Sequence, residues 1–208
     1  MTSPRAILFD VDGTLVDALA GQRRIWAQWA AEHGLDAGQV YELALRTRPA
    51  ETAGELLPVE SVAAAVRRFD ELEDWDARHG ELSGIPGAAE LLASLDVHRW
   101  GLVTSNAEDR VRRRFDRLGL PLPNVIVDNR ATRLGKPNAE PYLLGADRLG
   151  VPAAQCLVIE DSPSGVAAGL AAGMTVWCVN NPEPPDGVHR WYPSLAEAAA
   201  DIQAVLTG

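Results

Sequence analysis

Cysteine and long apolar runs are both scarce in this chain. Cys156 and Cys178 are the only cysteines among 208 residues, and each lies in a short apolar segment. This predicts two buried reduced thiols, because a zinc site needs more ligands at closer spacing. No apolar stretch is long enough to span a bilayer, and the first residues do not resemble a signal peptide. We therefore expect a protein of the reducing cytoplasm.

Positive charge is also in short supply. The chain has 19 Lys and Arg residues against 29 Asp and Glu residues, which gives a net charge of −10. An acidic surface repels nucleic acid and anionic membranes, so neither is an expected partner. This charge does not exclude a small phosphorylated metabolite as the partner, since the local charge of a cleft can oppose the overall charge. We expect a monomer or a weak dimer.

Short apolar runs alternate with helical patterns over most of the sequence. Each run is the length of a buried strand, and helical spacing of apolar residues follows between the runs. This alternation predicts an α/β fold with a Rossmann-like open parallel sheet. The predicted strands are 6–9, 101–104, 125–127, 157–159 and 175–179, and the predicted helices of this region are 109–118, 140–149, 164–172 and 195–206.

Residues 17–84 interrupt the alternation. Helical patterns at 18–33 and 60–79 occur here without a convincing strand, and 81–87 has the glycine and proline content of a linker. The sequence thus predicts a helical domain at 17–84, inserted after the first strand. Residues 1–16 and 85–208 are predicted to form the catalytic core.

The most informative segment is Phe-Asp-Val-Asp-Gly-Thr at 9–14. Ligands of open α/β sheets bind beyond the carboxyl ends of the strands, so Asp10 and Asp12 are expected to face a cleft. One carboxylate can attack phosphorus, and the other can exchange a proton with the leaving alcohol and with water. The structural alternative is a solvated loop whose aspartates cap a helix.

Two further segments carry groups of the kind that can bind phosphate. Thr104, Ser105 and Asn106 follow a predicted strand, where a hydroxyl and backbone N–H groups can hold phosphoryl oxygens. Lys136 lies in Gly-Lys-Pro and can neutralise a transferring phosphoryl group. The alternatives are a helix cap near Asp109 for the first segment and an ordinary surface lysine for the second.

A second acidic pair, Glu160 and Asp161, also follows a buried run. Oxygen ligands at this position suit Mg²⁺, with Asp161 joining Asp10 and the backbone carbonyl of Asp12. Glu160 is better placed behind these ligands. The alternative is a helix cap at the serines that follow. Two acidic strand ends repel each other unless a cation lies between them, so the four segments together predict phosphoryl transfer.

At these residues the sequence resembles the haloacid dehalogenase-like (HAD) superfamily of phosphotransferases. Its four motifs match residues 10–14, Thr104, Lys136 and the pair at 160–161, in that order. The resemblance covers nearly the whole chain and implies a Rossmann-like core with a small helical cap.

The resemblance also implies a role for each motif. Asp10 would be the nucleophile, Asp12 the general acid and base, and Asp10, Asp12 and Asp161 the Mg²⁺ site. Thr104 and Lys136 would bind the phosphoryl group.

A finer resemblance is to the sugar phosphatases and glycerol-phosphate phosphatases of the superfamily. It is carried by residues 26–34, 135–143 and 160–169. The chain departs from many of these relatives at Asn106, where they have glycine, and at Ala139, where they have proline. The loop 46–51, in which relatives place substrate-selecting residues, matches them poorly. Arg46 and Arg48 are our candidates for substrate contact, the alternative being two surface arginines.

The predicted function is a Mg²⁺-dependent phosphatase of small sugar or polyol phosphates. A phosphosugar mutase shares the aspartyl-phosphate step and stays open, as does a phosphometabolite-binding module without activity. A dehalogenase has no use for the proton donor Asp12. A dinucleotide-binding enzyme is disfavoured because no Gly-x-Gly-x-x-Gly follows the first strand.

Overall fold

A computed structural model describes residues 4–45 and 47–207. The described residues form two compact units. One contains the residues up to Asp17 and from Ser83 onward, and the other is Ala18–Leu82. The boundaries predicted from the sequence, 16/17 and 84/85, lie one and two residues from these transitions.

Short strands and helices alternate along the first unit. The strands are β1 (Ala6–Phe9), β2 (Val16–Asp17), β3 (Ser83–Gly84), β4 (Trp100–Val103), β5 (Val125–Val127), β6 (Cys156–Glu160), β7 (Thr175–Cys178) and β8 (Arg190–Trp191). The helices of both units are α1 (Leu19–Glu32), α2 (Ala37–Ala44), α3 (Pro49–Leu56), α4 (Val59–His79), α5 (Ala88–Ser94), α6 (Glu108–Leu118), α7 (Glu140–Leu149), α8 (Pro163–Ala171) and α9 (Leu195–Thr207), and a 3₁₀ turn covers Ala153–Gln155.

The main sheet is parallel, with strand order β5-β4-β1-β6-β7-β8, and β2 and β3 form a separate antiparallel pair. The predicted α/β class with a Rossmann-like open parallel sheet is confirmed. Every residue of β1, β4 and β6 is buried, as expected for strands covered on both faces.

The position of β1 decides where the site forms. It lies between β4 and β6, with Phe9 in register with Leu102 on one side and with Ile159 on the other. The three strands therefore end at nearly the same level. The side chains that follow them, starting with Asp10 and Asp161, are brought to one edge of the sheet.

The second unit is helical and has its own core. Trp26 and Trp29 of α1 pack edge-on with ring centroids 5.5 Å apart, and Trp26 also packs on Phe69 of α4. Buried Trp29 donates from Nε1 to the backbone oxygen of Ala65 over 2.9 Å, which satisfies its polar atom. None of the helices in the described part of the chain has the length and hydropathy of a membrane span.

One sequence interpretation of this unit was wrong. Residues 46–51 were expected to be a loop, but α3 already begins at Pro49. Proline at the first helical position and the side chain of Glu51, which accepts from the backbone N–H of Arg48 over 2.9 Å, both favour a helix start here. The short helices α2, α3 and α5 were not predicted, because seven or eight residues show too little of the helical period.

Candidate active site at the carboxyl ends of three parallel strands

Asp10 follows β1 directly and is 7% exposed. Its backbone N–H donates to the oxygen of Ile159 over 3.0 Å, so β6 fixes its position. The chain then turns back at once, with the N–H of Gly13 donating to the oxygen of Val16 over 2.8 Å. Gly13 has a φ of 94°, and a Cβ there would overlap the carboxylate of Asp161. The motif thus needs glycine for both its backbone angle and its close packing.

Lys136 contacts Asp10. Its Nζ is 2.5 Å from Oδ1 of Asp10, 2.6 Å from Oε1 of Glu160 and 3.0 Å from the oxygen of Val103. An ammonium group has three N–H donors, and these three acceptors use them all. The side chain is 6% exposed, so Lys136 is not a surface residue. It is also the only lysine in the sequence, in which the other 18 basic side chains are arginines.

Glu160 is fully buried and fully hydrogen-bonded. Oε1 accepts from Lys136 and from the phenol of Tyr142, the latter over 2.9 Å. Oε2 accepts from the backbone N–H groups of Asp161 and Ser162 and from the Ser162 hydroxyl. With both oxygens occupied, Glu160 is poorly placed to bind a metal directly. It holds Lys136 and the start of α8 in place instead.

The site carries an excess of negative charge. Carboxylate oxygens of Asp10, Glu160 and Asp161 all lie within 4.8 Å of one another, and Lys136 is the cation among them. Burial raises the pKa of Asp10 well above its usual value, and Glu160 and Asp161 raise it further against the effect of Lys136. Burial, and then Glu160, also raise the pKa of Asp161, to about 7.

The raised pKa values of Asp10 and Asp161 are those expected of a site that binds a divalent cation between its carboxylates. Asp10 and Asp161 bring hard oxygen donors close together, and the single ammonium of Lys136 is one positive charge beside three carboxylates. Thr14 donates to Oδ1 of Asp161 over 3.2 Å and so orients that carboxylate. Burial lowers the pKa of Lys136, but Asp10 and Glu160 outweigh it and hold the pKa well above its usual value, so the ammonium stays charged.

The segment after β4 lies beside Asp12. The Thr104 hydroxyl is buried and accepts from the N–H of Asn106 over 3.0 Å, which leaves its own proton available. Asn106 accepts from the N–H of Ala107 over 2.8 Å and reaches Oδ2 of Asp12 over 3.4 Å with Nδ2. Ser105 is exposed. Ala107 occupies the N-cap position of α6 without a side-chain cap, so neither Ser105 nor Asn106 is the N-cap residue.

The structure describes one of the two arginines that we predicted to contact the substrate. Arg46 lies outside the described residues. Arg48 is half-buried and is the N-cap of α3, where its N–H donates to Glu51. A role for either arginine in substrate contact stays a prediction.

Sequence reasoning missed Arg114 and Asn180. Nη1 of Arg114 is 2.8 Å from Oδ1 of Asp12, and the arginine side chain is 2% exposed. A clue was present, because Arg114 lies at helical spacing with Val111, on the apolar face of α6. Nδ2 of Asn180 donates to the oxygen of Gly13 over 2.8 Å and so supports the turn of the first motif. That contact joins residues far apart in the chain, and no local pattern marks it.

Comparison with known proteins agrees with this arrangement. The sequence model of the family described as "Hydrolase: haloacid dehalogenase-like hydrolase" matches residues 4–173. Hexitol phosphatase A of Escherichia coli K12 is 38% identical over 86% of this chain and 84% of its own. Glycerol-1-phosphate phosphohydrolase 2 of Saccharomyces cerevisiae is 30% identical over 82% of this chain and 72% of its own.

A solved structure is similar over nearly the full length. It is that of CbbY from Rhodobacter sphaeroides in complex with phosphate, with a TM-score of 0.76 and 27% identity over 94% of this chain and 96% of that one. The family model covers the segments that carry Asp10, Lys136 and Asp161. The resemblance stated from the sequence is thereby confirmed, and the chain belongs to the haloacid dehalogenase-like hydrolase family.

Proposed function

We propose that this chain is a Mg²⁺-dependent phosphomonoester hydrolase of small sugar or polyol phosphates, and that Asp10 is phosphorylated during turnover. One observation supports this most directly. Asp10 stands at the end of β1 with Oδ1 bound to Lys136, in a site whose carboxylates outnumber its cations. A buried carboxylate with one oxygen fixed has its other oxygen oriented for attack.

The reaction balances with the residues present. An oxygen of Asp10 forms a bond to phosphorus while the ester P–O bond breaks, and the bonding electron pair stays on the substrate oxygen. Asp12 gives that oxygen a proton, so the alcohol leaves neutral. Asp12 then takes a proton from water as the water attacks phosphorus. Phosphate departs, and Asp10 is restored as a carboxylate.

The remaining side chains bind the charge that the phosphoryl group carries. Lys136 supplies its positive charge next to the nucleophile, although its three N–H groups already have acceptors. The Thr104 hydroxyl accepts from Asn106 and so has its own proton to donate to a phosphoryl oxygen. Asp10, the backbone carbonyl of Asp12 and Asp161 are the groups that would hold Mg²⁺. When bound there, the ion supplies charge neutralisation and alignment of the phosphoryl oxygens.

The substrate class rests on the relatives. Two proteins that align over most of their length with this chain are named for hexitol phosphate and glycerol 1-phosphate chemistry. We propose a small polyol or sugar phosphate here too. We also propose that residues 17–84 act as the cap, with Arg46 and Arg48 as substrate contacts.

A phosphate-release screen tests the proposal. Purified chain is incubated with Mg²⁺ and with hexitol, glycerol, hexose, glycolate and nucleotide monophosphates. We expect phosphate release to be fastest with a polyol or sugar phosphate and to disappear in Asp10→Asn. The matched control is Asp201→Asn, since Asp201 forms an exposed ion pair with Arg190. Activity that survives in Asp10→Asn would refute the nucleophile, and an isomerised hexose phosphate without free phosphate would indicate a mutase.

A further inference from the structure

A buried arginine that no motif of the sequence analysis includes contacts the predicted acid and base. Arg114 lies on α6, its side chain is 2% exposed, and Nη1 donates to Oδ1 of Asp12 over 2.8 Å. We propose that Arg114 is a positioning residue for proton transfer by Asp12. This deepens the proposed function and rests on it, because it assigns a partner to the group that protonates the leaving alcohol.

The two carboxylate oxygens of Asp12 have different hydrogen bonds. Oδ1 is held by Arg114 over 2.8 Å, whereas the one partner of Oδ2 within residues 4–45 and 47–207 is Nδ2 of Asn106, at a long 3.4 Å. A charge-assisted hydrogen bond at the shorter distance fixes the carboxyl group, and the weaker contact leaves the second oxygen available. Oδ2 is therefore the oxygen that exchanges a proton with the substrate.

The cost of this arrangement argues for a role beyond stability. Burying a guanidinium is unfavourable unless its donors are paired, and a buried ion pair is weak support for a stabilising role. Nε of Arg114 is buried and finds no hydrogen-bond partner among the residues that the structure describes. An apolar side chain would fill this space without leaving a buried donor unpaired. The contact with Asp12 therefore gives a reason for an arginine at this position.

The contact has a specific chemical consequence. As the ester P–O bond breaks, the proton on Oδ2 moves to the alcohol oxygen and Asp12 becomes a carboxylate. The charge of Arg114 stabilises this carboxylate as it forms, in a site already arranged for it. This benefit depends on the leaving group, since a strongly basic alkoxide needs the proton and a weakly basic phenolate leaves without it.

Comparison of two substrates tests the inference. The values of kcat/KM are measured for the best polyol phosphate and for p-nitrophenyl phosphate in the wild type and in Arg114→Gln. We expect the polyol phosphate value to fall by about 10- to 100-fold, part of what a general acid contributes, with a much smaller change for p-nitrophenyl phosphate. The ratio of the two values is the readout, because it does not depend on the fraction of folded enzyme.

Two further variants complete the design. Arg110→Gln removes another buried arginine one turn earlier on α6, and we expect the ratio to stay that of the wild type. Arg114→Lys keeps the charge and should recover part of the ratio. Equal losses on both substrates in Arg114→Gln would overturn the inference and leave the proposed function intact. A wild type that releases no phosphate, or an active Asp10→Asn, would instead overturn the proposed function.

Discussion

Nζ of Lys136 lies 2.5 Å from Oδ1 of Asp10, so the cation of the site contacts the carboxylate that we propose as nucleophile. The same ammonium reaches Glu160 and the backbone oxygen of Val103. Three acceptors surround it at the distances that a compact, three-donor group requires. A planar guanidinium cannot match these directions, which gives a physical reason for a lysine in a chain that otherwise uses only arginine.

Lys136→Arg should therefore inactivate the enzyme although it keeps the charge. The longer planar group must displace Asp10 or Glu160 in a fully occupied site, and we expect kcat to fall by about 10²–10³-fold, as when one oriented donor is lost. The rate of phosphate release from the best substrate measures this fall in kcat. Arg112→Lys is the matched control, because Arg112 is exposed and forms an ion pair with Glu108 one turn earlier on α6. Near wild-type activity in Lys136→Arg would show that charge alone is needed.

The turn of the first motif offers a test that separates backbone strain from crowding. Gly13 and Gly34 both have positive φ, 94° and 69°, but only Gly13 faces a neighbour, the carboxylate of Asp161. Gly34→Ala should cost about 1–2 kcal/mol, the left-handed penalty alone. Gly13→Ala should cost about 1–3 kcal/mol more through overpacking. Urea unfolding measures both. Equal losses of stability would contradict the close packing of Gly13 on Asp161.

Much of the fold could be predicted from the sequence because its signals are local. The run 6–9 is continuously apolar and is followed by Asp and Gly, which fixes both the strand and the place of Asp10. Helix α7 was predicted with its observed bounds because Tyr142, Ala146 and Leu149 recur at helical spacing. The four motif segments were recognisable since each follows such a strand or lies on a loop beside one.

The remaining features of the fold and of the site depend on contacts between residues that are far apart in the sequence. Glu160 could be placed behind the metal ligands, but the five donors that occupy its oxygens come from three separate segments. Tyr142 and Asn180 likewise meet their partners only after the sheet has assembled. Strand β8 has two residues, and both are exposed, so no apolar run in the sequence predicted it.

The second unit contains an ion pair that predicts a pH effect. Arg68 donates to both oxygens of Glu32 over 2.8 Å, which joins α4 to α1. Hydrogen bonding to Arg68 lowers the pKa of Glu32 from 4.5 to about 2. Because the folded pKa is the lower one, the pair stabilises the chain above pH 4.5, and this stability is lost as the pH falls toward 2.

Glu32→Gln should accordingly lower the melting temperature at pH 6 and have less effect at pH 3. Side chains exposed by 33% and 39% are well screened, so the loss at pH 6 should stay below about 1 kcal/mol. A double-mutant cycle with Arg68→Gln isolates the pair from other effects of each change. A coupling free energy that does not shrink between pH 6 and pH 3 would contradict the assignment.

Magnesium should stabilise the folded chain, because Asp10 and Asp161 face each other without enough positive charge. Saturation at about 100 times the dissociation constant is worth about 2.7 kcal/mol of unfolding free energy, and thermal unfolding with Mg²⁺ or with a chelator measures it. Asp161→Asn should abolish the gain, whereas the remote control Asp201→Asn should keep it.

A second readout follows from the single lysine, since nitrogen-labelled lysine gives one side-chain ammonium resonance, that of Lys136. This resonance should shift with Mg²⁺ in the wild type and not in Asp161→Asn. Equal stabilisation of Asp161→Asn and the wild type would place the cation elsewhere.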